Sequence, residues 1–138
     1  MQNDREYLPK FSELLEQFTI IQLRELLLNK DIKTYMDDIK KIEHDIDLII
    51  KENDIKLSAR LLRLTFLTGQ LNTLIWIYKD KMQEKEENYL PYLKLSHQIN
   101  GLRNTIKNEL LILTEDTTEG SIRTNTNTDG LENFHVSL

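Results

Sequence analysis

Residues 32–49 carry apolar side chains at alternating spacings of three and four positions. Because an α-helix completes a turn in about 3.6 residues, this spacing places all of them on one side of a helix. The intervening positions hold lysine and acidic residues, which predicts a solvated opposite face. The apolar stripe is a coiled-coil-like heptad seam, and such a seam is normally covered by another helix. Its members are Ile32, Tyr35, Ile39, Ile42, Ile46 and Ile49.

A second heptad seam lies further along the chain and includes Ile99, Leu102 and Ile106. It predicts a last helix over about residues 91–113. Pro91 marks the beginning of this helix, because proline disfavours helical geometry in the residue before it.

Two further helices are predicted around these seams. An apolar face over residues 9–29 indicates the first, and residues 55–87 indicate the third. The third is apolar nearly all round in its middle, so we expect it to be the central and most buried element. The register of the apolar stripe changes near Asn53, which indicates either a helix break or a stutter in one long helix, and we favour the break. The sequence therefore predicts an all-α fold, an antiparallel helical bundle of about four helices within residues 1–113.

The composition agrees with this fold. The apolar residues are mostly leucine and isoleucine, with one alanine and one valine, and leucine favours helices. A chain of 138 residues is long enough for a single core. The absence of cysteine excludes disulfides and thiolate metal sites, and the first residues hold no apolar signal-peptide core. We therefore expect an intracellular protein, either cytoplasmic or nuclear.

Residues 114–138 form a polar, acidic tail in which Arg123 is the one basic residue. Such a segment cannot offset the entropy of its own ordering, so we expect it to be disordered or docked on a partner. Phe134, Val136 and Leu138 alternate as in a short strand and are candidates for tail docking at the sheet edge of a partner. The nearly neutral body and the acidic tail argue against direct contact with nucleic acid, which needs clustered positive charge.

Residues 64–78 contain no charged side chain. A membrane span needs about 20 apolar residues, so we interpret this segment as a buried bundle helix and expect no membrane span. Gln70 and Asn72 would then need hydrogen-bond partners inside the bundle and would fix its register. Gly69 would mark either a close approach of two helices or merely a weak point in the helix.

The densest group of possible metal ligands is Glu43, His44, Asp45 and Asp47. Metal-binding bundles place their ligands on inward positions, whereas the seam here predicts isoleucine at those positions. We therefore expect a solvated charged face and no metal or other cofactor.

The three histidines suggest no catalytic triad, and no glycine-rich phosphate loop is present, so we expect a protein that is not an enzyme.

The string from Ser96 to Leu102 (S-H-Q-I-N-G-L) resembles the phospho-accepting box of sensor histidine kinases. It also loosely resembles the H-x-Leu-Lys-Gly core of phosphotransfer domains. The resemblance covers seven residues and implies a phosphorelay-type histidine phosphotransfer protein in which His97 accepts the phosphoryl group. Its position between seam residues predicts that His97 faces outward, as nucleophilic attack requires. Gly101 lies in the middle of the same helix, and the helical pattern gives no reason for it.

The leading functional hypothesis is association. Three heptad stripes, the two seams above and one over residues 57–78, together with the nearly all-apolar third helix offer more apolar surface than four helices of this length would cover alone. We expect a non-enzymatic interaction subunit that assembles with other helical subunits into a homo- or hetero-oligomer. The seam residues named above are its predicted interface. The alternatives are phosphotransfer through His97 and a small regulator that sequesters a partner protein.

Overall fold

The structure is a computed structural model and describes residues 9–28, 30–115, 120–131 and 136–138. These residues form four α-helices and no strand, so the prediction of an all-α fold is confirmed. The helices are α1 (Phe11–Leu27), α2 (Ile32–Glu52), α3 (Ala59–Glu84) and α4 (Tyr89–Leu113), and a 3-10 turn at Glu86–Asn88 precedes α4.

The predicted break near Asn53 is a helix end of the Schellman type. Asp54 has a left-handed backbone with a φ of 50°, and the Ile55 amide donates to the Ile50 carbonyl at 3.0 Å. This bond satisfies a carbonyl that the end of α2 would otherwise leave unpaired. The change of register in the sequence is therefore a true separation of two helices.

The beginnings of α3 and α4 follow from local chemistry. Ser58 caps α3, because its Oγ accepts a hydrogen bond from the Leu61 amide at 3.1 Å. Pro91 lies in the first turn of α4, where a helix does not need the amide hydrogen that proline lacks.

The packing of the helices is uneven. α3 and α4 form the most extensive pair and run antiparallel, with Arg60 next to Glu109 at one end and Tyr78 next to Tyr92 at the other. α1 packs on both α2 and α3. Among the helices, α2 brings its Cα atoms close to those of α1 and of no other. The innermost side chains of the shared core are those of Leu64, Ile99, Ile106 and Leu110.

α3 is less buried than its composition predicts. Leu64 and Leu71 lie in the core, but Phe66 is 64% exposed and Ile77 is also exposed. The expectation that α3 is the most buried element is therefore wrong, although α3 does pack on both α1 and α4. Because α2 packs on α1 instead, it does not cover the side of α3 that holds Phe66.

A polar network joins α1, α3 and α4 inside the bundle. Buried Asn72 donates to Thr19 Oγ1 at 3.0 Å and accepts from Arg103 Nη1 at 2.7 Å. Arg103 also donates to Asn100 Oδ1 at 2.6 Å. The prediction that Asn72 has partners inside the bundle is confirmed, whereas Gln70 is exposed.

The rings of Tyr78 and Tyr92 lie 5.6 Å apart between centroids. Burial raises the pKa of Tyr78 above its usual value of 10.0, and the neighbouring Tyr92 raises it further. The folded chain thus favours the neutral phenol. Its contribution to stability is present below about pH 10 and is lost as the pH rises through the raised pKa.

The described part of the tail lies against the helices of the same chain. Leu131 packs against the core, and Arg60 Nη1 donates to the main-chain oxygen of Leu138 at 3.1 Å. Of the predicted tail-docking residues, Val136 is half-buried and Leu138 is exposed. Phe134 lies outside the described residues.

Candidate functional site

The predicted interface residues lie for the most part inside the chain. Tyr35 and Leu102 are half-buried, and Ile32, in the first turn of α2, is exposed. A partner that used the rest would have to open the chain's own core. The buried members are Ile39, Ile42, Ile46, Ile49, Ile99 and Ile106.

One apolar surface that stays open is a groove between α1 and α3, with a volume of about 440 Å³. We call it the α1–α3 groove. Leu26 on α1 and Phe66 on α3 are its most exposed apolar members, at 75% and 64%. Its lining is Phe18, Thr19, Gln22, Leu23 and Leu26 from α1 with Thr65, Phe66, Gly69, Gln70 and Thr73 from α3.

The groove arises from the helical positions of a few residues. Phe66 follows the fully buried Leu64 by two positions, which is about 200° around the helix, so it points away from the core. At Gly69 a Cβ atom would lie 3.5 Å from the Thr19 side chain. This is an ordinary contact distance, so the predicted especially close approach of α1 and α3 at Gly69 is not found, and the missing side chain only deepens the groove. The sequence does not predict this site, because the apolar pattern of α3 is also typical of a helix that is buried on every side.

More exposed apolar side chains lie where α1 ends and α2 begins. Leu27, Ile32 and Met36 are each about half exposed, and Leu26 in the preceding position belongs to the groove. We call these three residues the α1–α2 corner. The groove and the corner meet at the end of α1.

The charged face of α2 has the predicted orientation. Ile42 and Ile46 are buried, whereas the His44 side chain is exposed and its Nδ1 lies 3.4 Å from Asp45 Oδ1. Within the described ranges, no three histidine or acidic side chains are grouped so that they could hold a metal ion.

His97 is exposed on α4, so its predicted outward orientation is confirmed. It lines a shallow cleft of about 540 Å³ between α4 and the tail, together with Lys94, Asn127 and Asp129. No hydrogen bond to the imidazole occurs among the described residues, and the Oγ of the neighbouring Ser96 is buried without a hydrogen-bond partner there. The structure therefore shows an accessible histidine whose ring no other described residue orients.

The helices of the described chain include none that is both long enough and apolar enough to cross a bilayer. In comparisons by sequence and by fold, no protein family, curated protein or solved structure matches the chain at a significant level.

Proposed function

We propose that the chain is a helical interaction subunit, which acts by association and not by catalysis, and that its contact surface is the α1–α3 groove. The exposure of Phe66 and Leu26 carries this proposal. Complete burial of a phenylalanine or leucine side chain is worth about 1.5–3 kcal/mol. A groove lined with such residues gains most from an apolar helix face laid into it.

The occupant that we assign to the groove is a second copy of this chain. The α1–α2 corner is an exposed apolar helix surface of the kind that the groove accommodates. In a two-fold symmetric dimer one surface supplies both halves of the contact. The groove and the corner adjoin at Leu26. One continuous surface therefore contains both the groove, which receives a helix, and the corner, which is inserted into the groove of the other copy.

Replacing Phe66 with aspartate should weaken self-association by about 100-fold or more. The change removes an apolar contact of about 1.5–3 kcal/mol, and the contact occurs twice in a symmetric dimer. The stability of the monomer should change little, because Phe66 is exposed within one chain. Light scattering coupled to size exclusion, over a wide range of concentration, measures the mass and hence the association.

The matched control is Leu57→Asp. Leu57 is 72% exposed in the connection between α2 and α3 and lines no part of the groove. We expect Leu57→Asp to associate like the wild type. A wild type that stays at 16.4 kDa throughout, or equal association of wild type and Phe66→Asp, would contradict the proposal.

A further inference from the structure

One face of α4 makes hydrogen bonds to the main chain of the tail. Residues 123–129 run beside α4 in the opposite direction, because Arg123 lies at Asn108 and Asp129 lies at Gln98. The bonds are Asn108 Nδ2 to the Arg123 carbonyl at 2.9 Å, the Arg123 amide to Asn108 Oδ1 at 2.7 Å, Asn104 Nδ2 to the Asn125 carbonyl at 2.9 Å, and Gln98 Nε2 to the Asp129 carbonyl at 2.6 Å.

These contacts resemble those of a strand edge. The carbonyls that receive them belong to residues 123, 125 and 129, alternate positions that all face α4. One tight turn interrupts the extended segment, where the Thr126 amide donates to the Thr124 carbonyl at 3.0 Å. Asn108 both donates to and accepts from the main chain of Arg123, which an amide side chain can do in the way a neighbouring strand would. Because the bonds involve main-chain atoms, they depend little on the side chains of the bound segment.

Gly101 supplies a second, independent observation. A Cβ atom there would overlap the main-chain oxygen of Asn127 and would lie 2.9 Å from its carbonyl carbon. Glycine weakens a helix interior, so its place in the middle of α4 has a cost in helix stability. The bare position lets a peptide backbone pass directly over the helix, between the bonds made by Gln98 and Asn104.

We propose that the face of α4 from Gln98 to Asn108 is a binding site for an extended segment of a partner protein, recognised through its main chain. In the free chain, residues 123–131 occupy this site and compete with the partner segment for it. The ligand needs an amide hydrogen at the place of Arg123, which excludes proline there. Its side chains can otherwise vary. The site shares no residue with the α1–α3 groove, and the inference does not depend on self-association.

The tail can be loosened without changing α4. Gly130 has a left-handed backbone with a φ of 84°, and a Cβ there would lie 2.9 Å from Gln98 Nε2. The variant Gly130→Val therefore strains the tail and pushes it away from the helix. A tethered segment competes at a local concentration in the millimolar range, so its release should expose the site to a free peptide.

The probe is a fluorescent peptide with the sequence of residues 121–131, and the measurement is its anisotropy during titration with the full-length chain. We expect Gly130→Val to bind the peptide about tenfold or more tightly than the wild type. Adding Gly101→Ala to Gly130→Val should abolish the binding. Adding Gly69→Ala should not, because that Cβ has an ordinary contact distance of 3.5 Å to Thr19. A peptide with proline in place of Arg123 should bind several-fold more weakly.

Equal binding by all these variants, or no binding to a folded Gly130→Val chain, would overturn the proposal. If Gly130→Val does not fold, hydrogen exchange on otherwise wild-type chains replaces the titration. The Arg123 amide should then exchange faster in Gly101→Ala than in the wild type, while Gly69→Ala leaves it unchanged. Equal protection of Arg123 in Gly101→Ala and the wild type would overturn the proposal as well.

Discussion

Replacing both Ile39 and Ile46 with aspartate should unfold the chain. The loss of an oligomer with the fold intact is not the expected result. Each residue is 8% exposed, and each belongs to the apolar seam of α2 that faces the chain's own core. A carboxylate without a partner in such a place costs several kcal/mol, whereas the whole stability of a domain is about 5–15 kcal/mol. Far-ultraviolet circular dichroism should therefore show the loss of most helical signal at every concentration.

The matched control for this experiment lies on the same helix. Ile32→Asp combined with Met36→Asp introduces the same two charges at exposed positions and should leave the helical signal unchanged. A folded monomer from the Ile39 and Ile46 double variant would contradict the structure. It would show instead that the seam of α2 lies at an interface with a partner, as the heptad pattern alone suggests.

The replacement Lys107→Met should destabilise the chain by about 3 kcal/mol, because it removes one member of an enclosed ion pair. Lys107 Nζ lies 2.7 Å from Glu16 Oε2, and the two side chains are 13% and 18% exposed. The pair ties α4 to α1. Without the ammonium group the Glu16 carboxylate stays enclosed and loses this partner. Urea denaturation of wild type and variant measures the loss as a change in the free energy of unfolding.

Two comparisons separate this effect from a general effect of removing a lysine. Lys81→Met breaks a surface pair with Glu84, whose side chains are 44% and 52% exposed, and should cost less than about 1 kcal/mol. Replacing Glu16 with leucine together with Lys107→Met should recover most of the stability, since no carboxylate is then left without its partner. A Lys107→Met cost no greater than that of Lys81→Met would mean that the pair between α1 and α4 is open to water.

The sequence predicts much of this fold because its strongest signals are local. The alternating spacing of three and four residues between isoleucines along α2 predicts that Ile42 and Ile46 point inward. Both side chains are buried. The change of register near Asn53 likewise identified the end of α2, which the left-handed Asp54 makes. Such signals depend on the period of one helix, which the sequence contains in full.

The features that the sequence did not predict depend on contacts between segments that are distant in the chain. The apolar pattern of α3 is compatible with burial on all sides, and nothing in it says that α2 packs on α1 and leaves Phe66 open. Gly101 is an unusual residue for the middle of a helix. A glycine is needed there because a tail segment, more than twenty residues later in the chain, passes over it. Both features are contacts between distant segments, which helical periodicity does not encode.

The groove and the α4 face make different demands on a ligand. The groove around Phe66 and Leu26 is apolar and fits the side of a helix, whereas the face around Asn104 and Asn108 fits an extended backbone. Substitutions at Phe66 and at Gly101 should therefore separate the two kinds of binding.

The most direct test of association through the α1–α3 groove uses one spin label on each of two variants. The chain contains no cysteine, so Gln70→Cys places a unique label in the groove, and Lys40→Cys places one on the exposed face of α2. We predict that the electron paramagnetic resonance spectrum of the label at position 70 becomes immobilised as the chain associates, while that at position 40 stays mobile. A mobile label at position 70 in a sample whose mass has doubled would contradict the proposal.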